Sequence, residues 1–220
     1  MTLALFDLDN TLLGGDSDYA WGQHLIELGV VDQAHYEAAN RQFYEQYQAG
    51  LLDIHAFARF AYQPLIDHPR EDLLRWREDF MQRRVLPMML AAGRQRIDWH
   101  RRRGDTVLIV TATNSFVTRP IAEAFGVSEL IATEPEQIDG RYTGRIAGTP
   151  CFQGGKVTRL EEWLARHGGS LEESWFYSDS HNDVPLLERV TYPVAVDPDP
   201  QLQRMATKRG WPIISFRAND

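Results

Sequence analysis

Residues 3–13, Leu-Ala-Leu-Phe-Asp-Leu-Asp-Asn-Thr-Leu-Leu, constrain this chain more than any other stretch. An apolar run of strand length stops at two carboxylates one residue apart, Asp7 and Asp9. Ending a buried strand in charge is costly unless something holds that charge. Aspartates after a strand often cap local backbone N–H groups, and Asp-x-Asp alone is compatible with that use. Thr11 follows on the same turn, however, and three further polar signals come later in a fixed order.

After the turn the pattern changes from strand to helix. Gly14 and Gly15 form a flexible exit, and Asp18 reads as the N-cap of a helix with Trp21, Leu25 and Leu28 on one face, closed by Gly29. A second helix is expected from Asp32 to Gly50 with Tyr36, Phe43 and Tyr47 in register. A third begins at Asp53 with Ile54, Phe57 and Ala61 ahead of Pro64, and a fourth at Pro69 carries Leu73 and Phe80. No strand pattern interrupts them. Residues 14–86 are therefore expected to be an inserted α-helical cap, with residues 1–13 and 87–220 forming the core. Leaving the chain directly after the carboxylates, such an insertion can act as a lid that excludes water.

From Pro87 helix and strand alternate. Pro87 is expected to open a helix to Arg102, followed by a strand over 106–111 and a helix capped by Asn114 or Ser115 with Val117, Ile121 and Phe125 on one face. A short strand over 130–132 follows. Ile138-Asp139-Gly140-Arg141-Tyr142 carries an Asp-Gly hairpin signal, reaching to Ile146. A helix from Gly155 to Gly168 and strands over 174–178, 194–196 and 213–216 complete the pattern. The expected class is α/β, a Rossmann-like parallel sheet core with right-handed crossovers and an inserted helical cap. Ligands of such sheets bind at the carboxyl ends of the strands.

Bulk properties narrow the partners. A net charge of −8 leaves no basic footprint for nucleic acid or an anionic membrane surface. The basic run 101–103 reads as a solvated helix end. One cysteine, Cys151, admits no internal disulfide and reads as a small buried hydrophobe in a reducing compartment. With no secretory leader and no membrane-length apolar run in the pattern, a cytoplasmic protein with a small-molecule partner is expected.

Every polar group of interest falls at the carboxyl end of an expected strand or the start of a helix: Asp7, Asp9 and Thr11; Thr111; Lys156; Asp179 and Asp183. In a parallel sheet these segments converge. A phosphate monoester repels nucleophiles until its charge is neutralised, and Mg2+ does this with one or two carboxylates, here Asp7 and Asp179, plus phosphate oxygen and water. With Lys156 on the phosphate, Asp7 can attack phosphorus, and Asp9 can protonate the leaving alkoxide and then deprotonate water. Thr11 and Thr111 offer hydroxyls to phosphate oxygens. Asp183, four residues after Asp179, is expected on the same helical face, serving the metal through water or orienting its ligands.

Phe-Asp-Leu-Asp-Asn-Thr-Leu, the strand ending in Thr111, Gly154-Gly155-Lys156 and Tyr177-Ser178-Asp179-Ser180-His181-Asn182-Asp183 resemble the four ordered motifs of the haloacid dehalogenase superfamily. The helical insertion after the first motif resembles the cap of the subclass containing phosphoserine phosphatase. The resemblance implies Asp7 as nucleophile, Asp9 as acid and base, and magnesium held by Asp7, the Asp9 backbone carbonyl and Asp179. It implies a phosphatase. Ala112-Thr113 stand where the phosphoserine enzymes carry Gly-Gly after the second-motif hydroxyl, which puts Ala112 at the phosphate turn. Asp16 stands where they carry a glutamate that contacts the substrate ammonium and, with Asp18, can keep that contact; Asn182 is a further phosphate or substrate contact. No carboxylate-binding arginine aligns; Arg41 and Arg59 are the candidates. A phosphorylated amino alcohol suits these departures, with histidinol phosphate first. Phosphoserine hydrolysis, phosphotransfer to a bound acceptor and non-catalytic phosphate binding are the alternatives. His181 invites a general-base role that Asp9 already fills.

Overall fold

In a computed structural model, which describes residues 2–217, one seven-stranded sheet runs in the order β4-β3-β2-β1-β5-β6-β7. The strands are β1 Leu3–Phe6, β2 Thr106–Asn114, β3 Glu129–Ile138, β4 Arg141–Ala147, β5 Trp175–Ser178, β6 Tyr192–Val196 and β7 Ile213–Ile214. The helices are α1 Ser17–Glu27, α2 Gln33–Gln48, α3 Ile54–Ala61, α4 Gln63–Asp67, α5 Arg70–Phe80, α6 Leu86–Met88, α7 Ala91–Arg102, α8 Ser115–Ala124, α9 Gly154–His167, α10 Val184–Leu187 and α11 Pro200–Arg209. All pairings are parallel except β3 with β4.

β1 is the central strand, and its alternation explains why. Leu3 and Leu5 enter one apolar cluster with Leu108, Val110 and Phe176, while Ala4 and Phe6 enter another with Ile109 and Tyr177. Both faces are covered, so the strand reads as an unbroken apolar run. Each fully buried Leu or Phe side chain contributes about 1.5–3 kcal/mol of transfer free energy, which fixes the register. With that register set, the chain can end only one way, with Asp7 at the carboxyl edge, its N–H still bonded to the Tyr177 carbonyl at 2.9 Å.

Several boundaries differ from the sequence expectation. The N-cap of α1 is Asp16, not Asp18: Asp16 is extended and its carboxylate accepts from the Tyr19 N–H at 2.9 Å. Pro87 does not open a helix. α5 runs on through a π turn, Met81–Val85, into α6, and α7 starts only after Leu90. The reason is a long-range one: Met89 pairs with Leu13 in an isolated antiparallel bridge, with Gly14 N–H donating to Met88 O at 2.7 Å and Leu90 N–H to Leu12 O at 3.0 Å. β3 is ten residues long because its first half pairs with β2 and its second half with β4. The turn between β3 and β4 has both Asp139 and Gly140 at positive φ, as an Asp-Gly hairpin requires. Arg101 is not merely solvated, since its guanidinium donates to the carbonyls of Phe125 and Gly126 at the end of α8.

The helices between β1 and β2 divide by packing. Trp21 of α1 meets Phe80 of α5 and Phe116 of α8 edge-on, at 5.3 and 5.9 Å, and so shares the core of the sheet. α2 and α3 meet through Tyr36, Phe43, Phe57 and Phe60. The far end of α2 reaches the strand-end loops: Tyr47 OH lies 3.0 Å from Ser180 Oγ, and Tyr47 O accepts from Asn182 Nδ2 at 3.3 Å.

Candidate active site

The four segments meet at the carboxyl edge of the sheet. Lys156 Nζ lies 2.7 Å from Asp7 Oδ1 and 2.7 Å from Asp183 Oδ2, all three side chains being buried. Lys156 is delivered by the first turn of α9, where Gln153 takes φ 48° and a Cβ on Gly155 would sit 2.0 Å from the Pro150 carbonyl oxygen. Only glycine fits there. The single Thr11 hydroxyl stands 3.3 Å from Asp7 Oδ2 and 3.2 Å from Asp179 Oδ1, and accepts from the Asp179 N–H at 3.0 Å. The left-handed Asn10, φ 58°, turns the chain between Asp9 and Thr11.

Asp9 faces a different group. Its Oδ1 accepts from the Ser17 N–H at 2.6 Å and its Oδ2 from Thr113 Oγ1 at 2.7 Å. Thr113 N–H in turn donates to Thr111 Oγ1 at 3.2 Å, and Thr133 Oγ1 donates to the Ala112 carbonyl at 2.7 Å. The end of β2 thus holds Thr111, Ala112 and Thr113 as a short ledge beside Asp9.

Charge is out of balance here. Burial pushes Asp7 up to about 7, with Lys156 opposing and Asp183 and Asp9 adding repulsion. Burial and then the charge of Asp16 raise Asp9 to about 6, against hydrogen bonds from Ser17 and Thr113. Asp179 is held well above the ordinary carboxylate range by burial and by the charges of Asp7 and Asp183. Burial also raises Asp16. Burial works against the Lys156 ammonium, but Asp183 and Asp7 overcome it and raise its pKa. One ammonium faces several carboxylates.

That surplus of hard oxygen donors fits a divalent cation. Among the described residues no three His, Cys, Asp or Glu side chains form a metal-binding group. Magnesium does not need three: one or two carboxylates suffice when phosphate and water complete the shell. Asp7 and Asp179, set against one hydroxyl, have the donor chemistry for such a pair.

One expectation changes. Asp183 does not share a helical face with Asp179: Ser180 caps a 3-10 turn, His181–Asp183, and the Asp183 carboxylate is taken by Lys156 and by Ser178 Oγ at 2.7 Å. Through Oδ2 it braces the lysine. The Asn182 amide accepts from Gln153 Nε2 at 2.9 Å and donates to Tyr47 O at 3.3 Å. Arg41 and Arg59 are exposed and line no cavity beside the site. His181 Nδ1 is tied to Asp199 Oδ2 at 2.8 Å. Cys151 is buried, and burial pushes its thiol up to about 12, which suits a core residue. Sequence reasoning missed Thr113, Ser178 and Tyr47 as partners; Thr113, two residues beyond Thr111 on the same face of β2, carried a period-2 signal.

A cavity of about 90 Å3 opens beside Thr113 and Ala112 toward α2 and α3, lined further by Asp16, Asp18, Asn40 and aromatic side chains. No helix among the described residues is long and apolar enough to cross a membrane.

The family described as haloacid dehalogenase-like hydrolase matches residues 4–188. A relative named histidinol-phosphatase, from Neisseria meningitidis, is 45% identical over 219 residues, covering 98% of this chain and 99% of that protein. A phosphoserine phosphatase from Mycobacterium tuberculosis is 30% identical over 217 residues, covering 97% of this chain and 70% of that protein. A crystal structure of a protein with unknown function from Bordetella pertussis superposes with TM-score 0.91 at 48% identity, over 98% of this chain and 100% of that one. A substrate-bound phosphoserine phosphatase has the same fold, with TM-score 0.70 at 21% identity, over 99% and 94% of the two chains.

Proposed function

The chain belongs to the haloacid dehalogenase-like hydrolase family as a phosphatase, and from that premise we propose that it cleaves its ester through a phosphorylated Asp7, with magnesium as cofactor and histidinol phosphate as first candidate substrate. The observation that carries the reading is the convergence of Asp7, Lys156 and Asp179 on one point at the sheet edge, with Asp9 beside them but bonded elsewhere.

In the first half-reaction one carboxylate oxygen of Asp7 forms a bond to phosphorus as the ester P–O bond breaks, and the leaving alkoxide takes a proton from Asp9. In the second, Asp9 takes a proton from water as that oxygen attacks phosphorus, and Asp7 leaves as free carboxylate. Lys156, fixed by Asp183, holds a non-bridging phosphate oxygen. Thr11 and the end of β2 at Thr111 and Ala112 supply further donors. Magnesium, held by Asp7, Asp179 and the Asp9 carbonyl, would neutralise phosphate charge. Asp9 is kept out of the Asp7 group by Ser17 and Thr113, as a separate proton carrier needs. Histidinol phosphate leads because the relative bearing that activity matches over nearly its whole length and because the adjoining cavity is acidic.

The test is acid quench of enzyme turning over a 32P-labelled phosphomonoester with magnesium. Label should stay on wild-type protein and be absent from Asp7→Asn, whose phosphate release falls at least about a thousandfold. An Asp7→Asn protein that retains turnover would end the proposal.

A further inference from the structure

With Asp7 as the nucleophile, a reading on which the specificity of the pocket depends, the leaving group is assigned to the cavity beside Thr113, the side chain that holds Asp9; a second opening next to Asp179 shares Asp16 with it, but there His181 is tied to Asp199 and Arg217 to Asn10. Two facts about its lining bear on what that group is. Asp18, released from capping α1 by Asp16, is partly buried and has one hydrogen bond, from Asn114 Nδ2 at 3.4 Å; among the described residues it has no ion-pair partner. Burial and the charges of Asp16 and Asp9 push it up to about 8. Asn40 from α2, nine-tenths buried, lines the same cavity, and its Nδ2 has no hydrogen-bond partner among the described residues. A buried donor left unmade costs about 1–3 kcal/mol, so it is retained where something else fills the need.

The rest of the lining agrees. Phe43 and Phe57, packed edge to face at 5.4 Å, form an apolar wall that offers ring faces and edges to an aromatic group. Among the described residues no lysine, arginine or histidine lines the cavity, so a substrate carboxylate would be buried against Asp16 and Asp18 without a counter-ion.

We propose that Asp18 and Asn40 are the specificity residues of this enzyme. Asp18 pairs with a cationic nitrogen on the leaving alcohol, and Asn40 donates to a neutral ring nitrogen beside it. The missing basic residue excludes carboxylated esters such as phosphoserine. The substrate class is a phosphorylated amino alcohol with a flat nitrogenous ring and no carboxylate.

The test measures kcat and KM for histidinol phosphate, phosphoserine and phenyl phosphate in wild type, Asp18→Asn and Asn40→Ala, with thermal melting of each. In wild type, kcat/KM should be highest for histidinol phosphate. In Asp18→Asn the ratio of kcat/KM for histidinol phosphate to that for phenyl phosphate should fall at least tenfold, mostly through KM. In Asn40→Ala the same ratio should fall about threefold to tenfold with no loss of melting temperature, since no bond of Nδ2 within the protein is removed. Ratios within twofold of wild type in both variants would overturn the assignment while leaving the phosphatase mechanism standing. So would a wild type that prefers phosphoserine. Failure to release phosphate from any of the three esters would sink the mechanism and this assignment together.

Discussion

Asp183 is held by Lys156, Nζ to Oδ2 at 2.7 Å, with Ser178 Oγ on the same oxygen at 2.7 Å. The pairing separates two roles that the spacing of the acids leaves merged. Asp183→Asn should lower kcat about tenfold to a hundredfold by loosening the lysine, yet magnesium should still raise the melting temperature, as any ligand of the native state does. Asp179→Asn should abolish both activity and the magnesium-dependent rise. Treatment with EDTA should stop phosphate release from wild type, and added Mg2+ should restore it. Calorimetry with and without Mg2+ checks the split, and equal loss of the thermal shift in both variants would contradict it.

Thr113 gives Asp9 one of its two hydrogen bonds. Thr113→Val keeps the shape of the side chain and removes the hydroxyl, so Asp9 keeps only the Ser17 N–H. A general acid out of line loses part of its usual hundredfold or greater contribution. The expected result is a drop in kcat of about tenfold with KM changed much less, read from steady-state kinetics.

Gly155 cannot accept a side chain without moving backbone, because a Cβ would lie 2.0 Å from Pro150 O. Gly155→Ala should cost about 1–3 kcal/mol, the usual range for overpacking, and should also reduce activity because Lys156 is the next residue. Denaturant titration measures the first and phosphate release the second.

His24 has no exposed surface, and burial, opposed by Asp79, keeps it below its ordinary 6.5. It is neutral when folded, so below about pH 6.5 the unfolded chain binds a proton that the native chain does not, and this contribution is lost as pH falls. The raised site acids work in the other sense, Asp7 at about 7 among them, so the whole-protein curve mixes the two. The difference isolates the histidine: melting temperature of wild type minus that of His24→Gln should shrink between about pH 7.5 and 5.5. A difference that widens would contradict the assignment.

The central acids and the alternation of helix and strand were legible because they rest on local signals: an apolar run, a turn dipeptide, a glycine stop. Asp7, Thr11, Lys156 and Asp179 could be nominated together since each ends a strand or opens a helix, and a parallel sheet gathers such ends. What escaped depends on contacts between distant segments. Nothing near Pro87 in sequence announces the Leu13 to Met89 bridge that delays α7. Asp183 reads as a helical neighbour of Asp179 because spacing alone cannot tell an α turn from the 3-10 turn that Ser180 caps. Asp16 and Asp18 are both plausible caps by type, and the choice between them, which frees Asp18 for the cavity, is made by tertiary packing of α1.

The bridge between Leu13 and Met89 brings the two ends of the helical excursion to neighbouring positions, tied by Gly14 to Met88 and Leu90 to Leu12. A sheet fastened in this way, with α1 and α5 packed into its core, leaves α2 and α3 as the part of the excursion free to change. Divergence can rewrite α2 and α3, and with them the lining of the cavity, while the ends of β1, β2 and β5 stay where the sheet puts them.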